Sequence, residues 1–78
     1  MSSQDEAFSP QPLDALIEQL ELKNADLIRH STEQLTFKQL AKARAGKPVT
    51  LNIQRKITNA LNRCIGDDKY TMADLFDH

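Results

Sequence analysis

Seventy-eight residues with 5% aromatic content and no Trp form one domain whose core must rest mainly on Leu, Ile and Ala, because so short a chain buries only about 60% of its unfolded surface. A single Cys and two His without neighbouring ligand types exclude a disulfide framework and a metal site. The formal net charge of -1 conceals a division: Gln34 to Gly66 holds seven Lys or Arg and no acid, while residues 1–33 hold seven acids against two cations and 67–78 hold four against one.

In chain order, residues 1–11 mix Ser, Gln, acids and Pro10 around an isolated Phe8 without periodicity, and are expected to be a disordered arm. A single helical domain is expected over residues 12–78. Pro12 opens "PLDALIEQLEL", in which Leu13, Leu16, Ile17 and Leu20 share the spacing of one helical face. Proline suits a first helical turn and Asp14 complements its dipole. Asn24 is the expected cap of a second helix, "ADLIRHS". Thr36 and Gln39 fit a capping box, which places a third helix from Phe37 to Arg44 or Ala45, ended by Gly46. Thr50 caps a fourth, "LNIQRKITNALNRC", with Ile53, Ile57, Ala60, Leu61 and Cys64 on one face. Gly66 with Asp67 and Asp68 breaks it, and "TMADLF" allows a short last helix. No stretch alternates with period two, so the fold class is all-α, a small bundle of four to five short helices. Phe37, Leu40 and Ile57 are assigned to the core, and Cys64 to a structural thiol.

The basic block carries the functional signal. On the third helix Lys38 and Lys42 stand at i and i+4, nearly opposite Leu40 and Ala43. Two like charges at that spacing repel where a mixed pair would attract, which points to an external anion. Lys47, Arg55 and Lys56 add cations on neighbouring segments, and Thr36, Gln39, Thr50 and Asn52 add neutral hydrogen-bonding groups. Cations for phosphates with short amides and hydroxyls for base edges suit duplex DNA.

"LAKARAGKPVT" followed by "QRKITNALN" resembles the lambda repressor-like helix-turn-helix family over roughly Leu13 to Ile65. The features that carry the resemblance are the turn Gly46, Lys47, Pro48, Thr50 and the following Lys56, Ile57, Ala60, Leu61. It places the helix-turn-helix at about residues 24–45 and makes the third helix the recognition helix, with Thr36, Lys38, Gln39 and Lys42 nearest the groove. Lys47, Arg55 and Lys56 would then hold phosphates. The link before that helix is about a residue longer than the tight turn usual in such units, and Phe37 stands where the family more often has a polar residue. The resemblance implies a transcriptional regulator of double-stranded DNA and a homodimer, since one recognition helix reads only a short half-site.

A second expectation is a helical adaptor whose basic face docks an acidic protein. No catalytic set, phosphate-cradling glycine loop or paired carboxylate is present in the sequence, so neither an enzyme nor a cofactor is expected. No apolar run reaches the roughly 18 residues of a membrane span, and the acidic, polar start differs from a signal peptide. The expected location is the cytoplasm.

Overall fold

The computed structural model describes residues 12–76, which form five helices and no strand. These are α1 (Pro12–Gln19), α2 (Asn24–His30), α3 (Phe37–Arg44), α4 (Leu51–Ile65) and α5 (Met72–Leu75). The chain is thus a small all-α bundle, as its periodicity indicated. The arm expected over residues 1–11 lies outside the described residues. No helix among the described residues is long and apolar enough to cross a membrane.

One six-residue device starts three of the helices. At α3, Thr36 Oγ1 accepts from Gln39 N–H at 3.1 Å while Gln39 Oε1 accepts from Thr36 N–H at 3.2 Å. Leu35 and Leu40, on either side of this box, both enter the core, which are the positions of a hydrophobic staple. At α5 the backward half of this arrangement recurs with Tyr70, Thr71, Asp74 and Leu75, Thr71 N–H donating to Asp74 Oδ2 at 2.9 Å and the Thr71 hydroxyl donating to the same oxygen at 3.1 Å. At α2 it uses Leu22, Lys23, Asp26 and Leu27, and it corrects the expected cap. Asn24 is the first helical residue, and Lys23 holds the cap position with its N–H on Asp26 Oδ2 at 2.9 Å. Leu22 and Leu27 set that register by packing on the core. The Asn24 side chain is therefore available elsewhere, and its Oδ1 accepts from Arg44 Nη1 at 2.7 Å.

Three helices also end alike. After α3 the N–H groups of Gly46 and Lys47 donate to the carbonyls of Ala43 and Lys42, both at 3.1 Å. After α4 those of Gly66 and Asp67 donate to Arg63 and Asn62, at 3.3 and 3.1 Å. These are Schellman closures, and the glycines take the left-handed backbone they require, at φ 86 and 71. The third closure follows α1, where Leu22 N–H reaches Ile17 O and Glu21 N–H reaches Glu18 O, both at 3.0 Å. Here the left-handed residue is Glu21, at φ 58. Its Cβ makes that conformation costly.

All five helices supply the core. Leu13, Ile17, Leu27, Leu40, Ile57, Leu61 and Leu75 retain no exposed surface. One assignment shifts. Phe37, expected in the core, is 54% exposed, because it points about 90° from the inward bisector of Leu40 and Ala43 at helical spacing. Asn62 is buried, and its amide pairs with the Tyr70 backbone in both directions, at 2.9 and 3.1 Å, which holds the segment that leads into α5.

Two stability outcomes follow. Glu21→Gly relieves the left-handed strain and should raise stability by about 1 kcal/mol, seen as a thermal midpoint roughly 4–8 °C higher. Leu40→Ala removes a fully buried side chain and should cost about 2–5 kcal/mol, measured by urea denaturation. An unchanged urea midpoint would contradict the packing of α3.

Candidate nucleic-acid interface

The orientation of α3 decides which of its residues face out. Leu40 and Ala43 are buried, and Arg44 in the last turn also points inward with only 19% of its side chain exposed. Arg44 Nε donates to Asp14 Oδ1 at 2.7 Å and Nη1 to Asn24 Oδ1. With that arc committed, Phe37, Lys38, Ala41, Lys42 and Ala45 are all exposed. Lys38, Ala41, Lys42, Ala45 and Lys47 line an open cleft of about 420 Å³. The Schellman closure at Gly46 returns the chain so that Lys47 joins the two helix lysines there.

The seven cations of the basic block separate into two groups. Four have partners inside the molecule. Arg44 is held as described. Arg55 donates through both terminal nitrogens to the Glu33 carboxylate, at 3.0 and 2.8 Å, and Nη2 also reaches Asn52 Oδ1 at 2.7 Å. Lys56 Nζ donates to Gln34 O at 3.1 Å, and Arg63 Nε to His30 O at 3.0 Å. Arg55 and Lys56 grip the α2–α3 connection from α4 while Arg63 grips the last residue of α2, so Glu33 and Gln34 serve as attachment points. Lys38, Lys42 and Lys47 have no ion-pair or hydrogen-bonded side-chain partner among the described residues, and they share the cleft.

The remaining predicted site residues have structural tasks. Thr36 and Gln39 form the α3 capping box. Thr50 Oγ1 accepts from Ile53 N–H at 3.2 Å and caps α4. Asn52 supports Arg55. The structure therefore brings together Lys38, Lys42 and Lys47, while Asn52, Arg55 and Lys56 are tied to one another or to the connection and do not line the cleft. Sequence reasoning left out Ala41 and Ala45, although helical spacing puts both on the side away from Leu40 and Ala43.

Two carboxyls are perturbed. The Arg55 guanidinium bonded to Glu33 holds its pKa below the usual 4.5. The Lys23 N–H, supported by Arg29, holds Asp26 below the usual 3.8. Away from the cleft, Cys64 Sγ faces Asp26 O at 3.3 Å and His30 Nδ1 at 3.5 Å. Burial, and then the Asp26 charge, push this thiol upward, the opposite of an activated nucleophile.

Comparison of the chain with protein-family models, with curated proteins and with solved structures finds no match. The interface is therefore judged on its own geometry.

Acid should loosen the α2–α3 connection. Because Glu33 and Asp26 have lower pKa values folded than unfolded, the unfolded chain binds more protons as pH falls through about 4. Their contribution is complete above the unfolded values and is lost as pH descends through the folded ones. Urea midpoints should decline between pH 6 and pH 3, with a shallower decline for Glu33→Gln.

Proposed function

We propose that the protein binds double-stranded DNA as a small transcriptional regulator, with α3 entering the major groove. The observation that carries this reading is the cleft of Lys38, Lys42 and Lys47, three cations without partners among the described residues on one helix face and its following turn. Lysines at i and i+4 repel in the free protein, and a phosphate backbone neutralises them with release of its counterions. The α2–α3 order, with α4 bracing the connection, supports the helix-turn-helix reading that "LAKARAGKPVT" suggested. A second copy of the chain would supply the other half-site, and the cytoplasm is the compartment this reading implies. Arg55 and Lys56 act in this reading as positioning residues for the connection.

The test is a salt series on mixed-sequence duplex DNA. Each phosphate contact removed should reduce the slope of log affinity against log salt by about 0.9, so replacing Lys38, Lys42 and Lys47 together by Ala should reduce it by roughly 2.7. Arg55→Ala should instead lower the thermal midpoint and change the slope little. If the triple variant keeps the wild-type slope on DNA but loses affinity for an acidic polypeptide, the partner is an acidic protein and the regulator reading fails.

A further inference from the structure

The exposed face of α3 has an unusual chemistry for a helix that reads base edges. Its outward residues are Phe37, Lys38, Ala41, Lys42 and Ala45, which include no amide, hydroxyl or carboxylate. The two neutral polar residues nearby are occupied. Gln39 is half-buried, with Oε1 on Thr36 N–H, and Thr36 Oγ1 is on Gln39 N–H. A bidentate amide contact to adenine needs both the oxygen and the nitrogen of the amide aimed at the base. Gln39 would have to give up the helix cap to make one.

What remains beside the lysines on this face is apolar. Phe37, Ala41 and Ala45 repeat at intervals of four residues, so the phenyl ring and the two methyl groups form one stripe along the helix. Lys38 and Lys42 border it along one side, and Lys47 stands beside its far end in the cleft that Ala41 and Ala45 also line. The major groove offers one apolar group, the 5-methyl of thymine, which Ala and Phe side chains contact. The phosphates that border the groove are opposite in charge to the lysines along the stripe.

We infer that the Phe37–Ala41–Ala45 stripe reads thymine methyl groups, so that the specificity of this protein is apolar and its lysines supply orientation and affinity. This inference rests on the DNA-binding reading and adds to it the chemical group that is recognised. An acidic protein surface would satisfy the lysines equally well but would have no reason to distinguish one DNA base from another.

The experiment uses the full chain and needs no variant for its first arm. A randomised duplex pool is selected for binding, and the strongest duplex is remade with 2′-deoxyuridine in place of each thymidine in turn, which removes the methyl and leaves the pairing intact. At one or more positions the substitution should weaken binding about fourfold, the effect of one buried methyl group. Ala41→Ser, which turns the exposed methyl into a hydroxymethyl at little cost to the helix, should reduce that preference, and the far-ultraviolet circular dichroism of the variant checks that it folds. Equal binding of thymidine and deoxyuridine duplexes at every position overturns the methyl inference while leaving the DNA-binding reading intact. No duplex recovered at low salt overturns both.

Discussion

The guanidinium of Arg44 lies between Asp14 of α1 and Asn24 of α2, and the placement of α3 depends on it. A solvent-exposed pair of this kind contributes only about 0–1 kcal/mol. Arg44 is mostly covered, however, so turning it outward would leave Asp14 and Asn24 without their donor. The rotation of α3 about its own axis is therefore set at its last turn by a charge and along its length by Leu40 and Ala43. Every outward residue of the helix follows from that choice.

The uneven distribution of charge along the chain has a physical explanation in two parts. Acids of the N-terminal third are used as internal counter-charges, Asp14 for Arg44 and Glu33 for Arg55, so much of the sequence asymmetry closes on itself when the chain folds. The excess that remains is concentrated on the lysines at the α3 face. Within the block all three arginines, with a planar fork of donors, have partners among the described residues, and of the four lysines, whose compact charge is strongly hydrated, only Lys56 does.

Local rules were legible in the sequence and long-range ones were not. Thr36 with Gln39, Gly46, Thr50 and Gly66 announced the limits of α3 and α4, because caps and left-handed turns are decided within a few residues. The same logic was available for α2 and α5. Leu22, Asp26 and Leu27, then Tyr70, Asp74 and Leu75, repeat the Leu35, Gln39, Leu40 spacing, and attention to Asn24 obscured it. By contrast, Arg44 meets Asp14 across 30 residues and Arg55 meets Glu33 across 22. No periodicity encodes such pairs, so all seven cations of the block looked equally free. Phe37 was misjudged on local grounds, since aromatic character suggests burial while its angle from the Leu40–Ala43 bisector opposes it.

Lys47 owes its position to a glycine, and that has a thermodynamic consequence. Gly46 sits buried at φ 86, and the bond from Lys47 N–H to the Lys42 carbonyl fixes the backbone from which the third cation projects. Ordering a side chain and its loop on association ordinarily subtracts from affinity, and here the loop part has been met in advance by folding. A residue other than glycine at position 46 would loosen this turn without removing any charge. In the proposed DNA-binding reading its effect would fall on the entropy of association, with the salt dependence unchanged.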